Sequence, residues 1–366
     1  MSCPSWPSVD PDLAAHLERL HDLSDGLDHP DCWPSESLAV LSTADVLGWT
    51  IPQQYGGGEV PAVDLVKGYL QLARACLPTT FVLTQRNAAT SRLAQCGNEA
   101  LKDELLPRLV SDAEFATVGI SHLTTSRQHV SKPAVSVALH ADDMQLDGIV
   151  PWVTGAGQAD WVLTGGTCAD GRQVLVALPV ASRGVTVLEA QALLALDSSQ
   201  TASIRLDGVR VSRERLVAGP VEGVMQTGGR GGTGSLGTSA LALGAAAASL
   251  DRLSVEASRR PDLAGIVQPL VEELNLIVSD VMLAASGADE DVEDLSNEAL
   301  RRRSNSLVLR ASQSHLAASK GAGFTAGHPA SRAVREAMFF LVWSCPQSVI
   351  SANLRELAGI SEGPAC

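Results

Sequence analysis

Between residues 114 and 218 the chain passes through short segments rich in β-branched residues, with no helical periodicity between them. These segments lie at 115–121, 134–140, 143–150, 160–166, 173–180, 184–190 and 201–211, and Gly, Asp and Pro separate them. Short strands divided by turn residues predict an antiparallel β domain over 114–218. Without helices between the strands, a doubly wound nucleotide-binding sheet is excluded. The Gly-rich stretch at 219–235 then reads as a connector, because no strand of a βαβ unit leads into it.

Helical spacing of apolar residues fills both flanks. Before the β domain it covers 13–23, 35–49, 63–76, 79–96 and 99–110, with Ser35 as an expected N-cap. A loop with three glycines and two prolines interrupts it near residues 51–61. After the connector it covers 240–258, 266–286, 300–319, 331–343 and 347–357. The expected architecture is therefore a multidomain α+β chain. Residues 1–113 form an N-terminal helical domain, 114–218 the middle antiparallel β domain, and 219–366 a C-terminal helical bundle.

Composition narrows the function. The net charge of -14 argues against nucleic acid as a partner, since phosphate contacts need clustered Lys and Arg. Seven cysteines without a C-x-x-C pair, and eight histidines without H-E-x-x-H spacing, predict neither a disulfide framework nor a metal site. A reducing cytoplasm is the expected setting. The N-terminus lacks a basic start followed by an apolar run, so no signal peptide is expected. The low-charge stretch 235–250 is too short, and too rich in Ser, Thr and Gly, to span a membrane.

The order of helices, β domain and bundle, with several motifs in register, resembles the acyl-CoA dehydrogenase family from about Leu13 to Leu357. Residues 54–58 are similar to its Y-G-G-x-G loop, and 151–161 to its W-I-T-N-x-x-x-A-x-W strand pair. The resemblance implies FAD as cofactor, an acyl-CoA or other acyl thioester as substrate, and oxidation of a CH–CH pair. Trp152 and Thr154 would then face the flavin. Ser121 stands at the Thr of the family's T-E-P-x-A-G-S-D segment, followed by His122 and Leu123 in place of Glu-Pro. Ser126 and Arg127 fall near its phosphate-binding Ser. Arg260 matches the Arg of R-x-x-F-G, which in the family crosses to the neighbour's FAD diphosphate and so implies a homodimer or homotetramer. Gly321 and Gly323 match the G-G-x-G-[FY] loop, and Arg335-Glu336-Ala337 the R-D-A that follows.

The family's catalytic glutamate is the point of departure. Where the pattern has Y-E-G-T-x-Q, this chain reads Trp343-Ser344-Cys345-Pro346-Gln347. Ser344 takes the glutamate's position and Trp343 the aromatic's. The alternative family position for the base, near the start of the bundle, has no carboxylate, and Ser235 stands close to the expected substrate-binding Arg. A serine hydroxyl takes no α-proton unless another base activates it. Cys345 and His122 are the other candidates for that role, with Glu336 as a further ionisable group. Three readings stay open: a dehydrogenase with a relocated base, a relative using reduced flavin and oxygen, and a family member without dehydrogenase activity.

Overall fold

The computed structural model describes residues 6–8, 11–124, 132–226, 236–287 and 293–360. The chain opens with helices α1 (Pro11–Ser24), α2 (Ser35–Thr43), α3 (Ala62–Ala75), α4 (Leu77–Gln95) and α5 (Glu99–Leu105). Helix α2 is shorter than its periodicity predicts. Asp45 adopts a left-handed backbone (φ 55°) and breaks the helix, a conformation Asp tolerates better than most residues. Pro34 rather than Ser35 occupies its N-cap position. Helix α5 carries a side-chain cap, with Leu101 N–H donating to Asn98 Oδ1 at 3.1 Å.

Strands β1 (Ala116–Gly119), β2 (Val135–Leu139), β3 (Asp143–Val153), β4 (Trp161–Cys168), β5 (Gln173–Pro179), β6 (Val185–Ala190), β7 (Ala202–Ser212) and β8 (Leu216–Val221) follow. They form one sheet in the order β6-β7-β3-β2-β4-β5-β8, with β1 attached to β4. Most neighbours are antiparallel, but β1 and β2 both run parallel to β4. The run expected as strand to residue 121 stops at Gly119, and Ser121–Thr124 forms a short helix, α6. Leu123 is buried there among Leu93, Leu101 and Val224, so the turn is fixed by apolar burial.

Strands β4 and β5 are covered on both faces. Trp161, Leu163, Leu175 and Ala177 join the core under α4 and α5, while Val162, Val174 and Val176 pack inside the sheet domain. That is why these strands read as continuous apolar runs rather than as alternating ones.

The bundle consists of α7 (Leu236–Arg259), α8 (Ala264–Ala285), α9 (Asn297–Ala318), α10 (Lys320–Gly323), α11 (Pro329–Phe339) and α12 (Gln347–Leu357). Its core is continuous with that of α1–α4. Helices α3 and α7 approach closely because Gly244 has no side chain. A Cβ at that position would lie 2.7 Å from both Ala73 Cβ and the Leu70 carbonyl. Gly244→Ala should therefore destabilise the protein by about 1–3 kcal/mol through overpacking, against a helix-propensity gain of about 1 kcal/mol. The shift of the urea midpoint measures the balance, and a stabilised variant would show that the two helices can part without cost. No described helix is long and apolar enough to cross a membrane.

Candidate active site

A cavity of about 2470 Å³ opens where α4, the ends of the strands and the bundle meet. A site for one drug-sized ligand occupies about 300–1,000 Å³, so this space has room for two such molecules.

On the sheet side, β3 loses its register with β7 between Val150 and Val153. The irregularity puts Trp152 in a left-handed backbone (φ 55°), a strained conformation for an aromatic residue, and leaves the residue 56% exposed on the cavity wall. Thr154, two residues on, is buried, with its hydroxyl 3.4 Å from that of Thr201. Thr201 in turn lies 2.8 Å from the Ser199 hydroxyl. At Gly155 (φ 65°) a Cβ would strike the rings of Trp33 and Phe115, so only glycine suits this turn. The Ser121 hydroxyl donates to the Pro151 carbonyl at 3.3 Å, tying α6 to the irregular strand.

His122 also lines the cavity, and its Nε2 lies 3.0 Å from the Gly165 carbonyl. A carbonyl only accepts, so that nitrogen carries the proton and does not serve as a proton acceptor.

On the bundle side, α11 ends at Phe339 and the chain turns through Trp343 to Ser344. Trp343 stacks on Phe339 at 5.0 Å and meets Phe81 of α4 edge-on at 5.1 Å. Ser344 has φ 48° and, like Trp343, lines the cavity. Cys345 turns the other way. It is buried, and its thiol donates to the Phe340 carbonyl at 3.2 Å, with Arg301 and Asn305 beside the sulfur. Arg301, fully buried on α9, donates to the Trp343 carbonyl at 3.0 Å and so holds the turn that presents Ser344. Burial lowers the Arg301 pKa, an effect that nearby Cys345 opposes. Glu336 is likewise turned from the cavity and pairs with Arg332 at 2.7 Å. Among the described lining residues Glu59 alone bears a carboxylate.

Arg260 and Gly321 lie elsewhere. A smaller pocket of about 400 Å³ gathers Arg252, Arg260, His315, Lys320 and His328 around a single acid, Glu256. Arg260 donates to the Ala318 carbonyl at 2.8 Å and pairs with Asp262 at 3.3 Å. Gly321 stands open beside it, while a Cβ on Gly323 would lie 2.7 Å from Ser319 Cβ. Ser126 and Ser235 fall outside the described residues. No group of acids, histidines and cysteines among the described residues is arranged to hold a metal ion.

His315 at this pocket is buried, and burial lowers its pKa to about 4, with Arg252 and His328 adding repulsion. Between pH 6.5 and 4 the unfolded chain therefore binds the extra proton and the folded one does not. Stability should fall across that window as pH drops, by on the order of 2–3 kcal/mol. His315→Gln should flatten the dependence in urea titrations at several pH values, and an unchanged slope would refute the assignment.

Sequence reading did not single out the cavity face of α4. Thr84, Gln85, Ser91, Arg92 and Gln95 all line the cavity. Their helical spacing is visible in the sequence, but a polar helical stripe is ordinarily assigned to solvent.

A chain that flanks an eight-stranded sheet with helices on both sides in sequence, and joins the two helical cores, has the acyl-CoA dehydrogenase fold. It superposes on a glutaryl-CoA dehydrogenase from Mycobacterium smegmatis in complex with FADH2 with a TM-score of 0.79. The sequence identity is 19%, over 96% of this chain and 95% of the other. Residues 17–113 match the family profile described as acyl-CoA dehydrogenase, N-terminal domain. The chain is 24% identical over 255 residues to the probable acyl-CoA dehydrogenase YngJ of Bacillus subtilis, covering 68% of this chain and 65% of that one. It is 22% identical over 331 residues to the probable acyl-CoA dehydrogenase fadE25 of Mycobacterium leprae, covering 83% and 82%. The chain thus has the acyl-CoA dehydrogenase fold, and its first helical region matches the N-terminal domain of that family.

Proposed function

We propose that the protein is an FAD-dependent oxidoreductase acting on an acyl thioester, with no carboxylate at the usual position of the base. The observation that carries this reading is the cavity wall, where Trp152, Thr154 and Ser121 from the sheet lie across from Trp343 and Ser344 from the bundle. The residues present fit a flavin. Trp152 offers an exposed flat ring for stacking, and the Thr154, Thr201 and Ser121 hydroxyls supply polar groups for the ring edge. When bound, FAD would supply the hydride acceptor. The chain's part is to hold the thioester between Trp343 and the sheet wall and to exclude water from it. The cationic pocket at Arg260 fits a diphosphate brought by a second subunit, which makes a symmetric homo-oligomer part of the reading.

A second reading, in which reduced flavin and oxygen attack the substrate and no α-proton base is needed, is favoured by a cavity lining whose described residues include one carboxylate, that of Glu59.

The visible spectrum of the purified protein tests the common premise. Oxidised flavin should be present, or be taken up on adding FAD. Its failure to bind would sink both readings. Anaerobic bleaching of that flavin by an acyl-CoA panel supports the first reading; bleaching by none of them, with turnover only when a reductant and oxygen are supplied, supports the second. Light scattering should give a dimer or larger at micromolar concentration, and Arg260→Ala should lose flavin on dilution faster than the unmodified protein. A monomer that retains its flavin would contradict the shared site.

A further inference from the structure

Two buried polar side chains on the cavity wall are joined to each other and left with hydrogen-bonding capacity to spare. Tyr69 of α3 and Asn87 of α4 both line the cavity, and both are more than nine-tenths buried. The Asn87 amide donates from Nδ2 to the Tyr69 hydroxyl oxygen at 2.8 Å. The phenol proton is not used by that bond, because the oxygen is the acceptor in it. Asn87 Oδ1 accepts from no described group. Turning the amide over would exchange the roles, the phenol then donating to Oδ1, and would still leave one donor and one acceptor unmade.

The surrounding wall is apolar. Leu65 and Val66, one turn before Tyr69, also line the cavity, as does Trp49. The Trp49 ring lies against Gly68, where a Cβ would fall 2.4 Å from it. Polar groups unpaired in such a setting are costly, and a ligand that pairs them removes the cost. Burial raises the Tyr69 pKa to about 12, an effect that the Asn87 hydrogen bond opposes, so at neutral pH the phenol stays a donor. Asn87 stands six residues beyond Phe81, which meets Trp343 edge-on. That is a rise of about 9 Å along α4, so the pair is set back from the aromatic contact beside Ser344.

Resting on the thioester reading above, we propose that Tyr69 and Asn87 recognise a hydroxyl group toward the far end of the acyl chain. A hydroxyl donates and accepts through one atom, so it can take the phenol proton and give its own to Asn87 Oδ1. A plain hydrocarbon chain would leave both groups unpaired. A carboxylate only accepts, so it would meet the phenol but face Oδ1 with like polarity.

Three matched pairs of probes test this: butyryl-, hexanoyl- and octanoyl-CoA, each beside its counterpart with a hydroxyl on the terminal carbon. The three lengths let the hydroxyl reach different depths along the wall. Dissociation constants are measured by calorimetry on the flavin-loaded protein, unmodified and as Tyr69→Phe and Asn87→Leu. At one chain length at least, the hydroxyacyl-CoA should outbind its plain counterpart by about ten- to a hundredfold. Tyr69→Phe, which removes only the hydroxyl, should abolish that preference while plain acyl-CoA binds as before or more tightly. Asn87→Leu, close in size and wholly apolar at its tip, should do the same.

Equal binding within all three pairs by the unmodified protein overturns the inference and leaves the thioester reading intact, whether or not the variants fold. A preference that survives in a folded Tyr69→Phe also overturns it. Tighter binding of a hydroxyacyl-CoA with the flavin left oxidised supports the inference and contradicts the dehydrogenase reading. A protein that binds none of the six thioesters refutes both.

Discussion

Ser344→Glu should raise the rate at which butyryl-CoA reduces the bound flavin by on the order of a hundredfold, the usual worth of a positioned general base. Removing an α-proton requires an acceptor within about 3 Å, directly or through one water. Ser344 lines the cavity on the turn where the family resemblance puts that acceptor, and a neutral hydroxyl is too weak to fill the role. Two neighbouring candidates are turned or engaged elsewhere, since Cys345 faces the Phe340 carbonyl and Glu336 is paired with Arg332, while His122 gives its Nε2 proton to Gly165, which leaves Nδ1 as its one possible acceptor. The unmodified protein should accordingly reduce its flavin very slowly with straight-chain acyl-CoA. Stopped-flow absorbance under anaerobic conditions measures both rates. Ordinary enzymatic turnover by the unmodified protein would mean that a base exists elsewhere. A Ser344→Glu variant that binds flavin and thioester yet stays inert would mean that the cavity does not present the α-carbon to this turn.

The same turn marks how far sequence alone could see. Long apolar periodicity predicted the three long bundle helices, because each buries a stripe whose spacing is written in the chain. The β-branched runs predicted the sheet for an equally local reason. What escaped was set by tertiary contacts. The helical turn at Ser121 follows from burying Leu123 under α4 and α5, and nothing in the local pattern requires it. The direction of Cys345 follows from Arg301 and Asn305, some forty residues earlier in the chain. The polar face of α4 is legible as a stripe. That it faces a cavity is known only once the bundle closes over it. Motif resemblance placed Trp152, Thr154, Trp343 and Ser344, and the fold brings all four to one cavity. For Arg260 it implied the neighbour's FAD instead, and in the fold that residue lines the smaller pocket where α7, α9 and α10 pack.

Arg86→Ala should cost about 3–5 kcal/mol of stability, more than any surface substitution in this chain. Arg86 sits on α4 with its side chain 1% exposed. Its guanidinium donates to the carbonyls of Leu47, at 2.5 Å, and Leu109, and to that of Ser111 at 3.2 Å. These acceptors belong to two separate turns, one before α3 and one leading into β1, so a single side chain fastens both to the middle of α4. Burial pushes the Arg86 pKa down to about 10, an effect that nearby Asp112 opposes, and the group still carries its charge at neutral pH. Alanine would leave the carbonyls without their donor and open a void the size of the lost side chain, and each loss is expensive in a packed interior. Arg86→Lys should recover only part of the loss, because an ammonium cannot span two divergent carbonyls as the planar fork does. Arg19→Ala supplies the contrast: its partner Glu36 is exposed, as Arg19 itself is, and the change should stay within about 1 kcal/mol. Urea titration of the three variants beside the unmodified protein measures the series. An Arg86→Ala midpoint no lower than that of Arg19→Ala would mean that water or a rearranged turn satisfies the carbonyls, and that α4 is held in place by its apolar contacts alone.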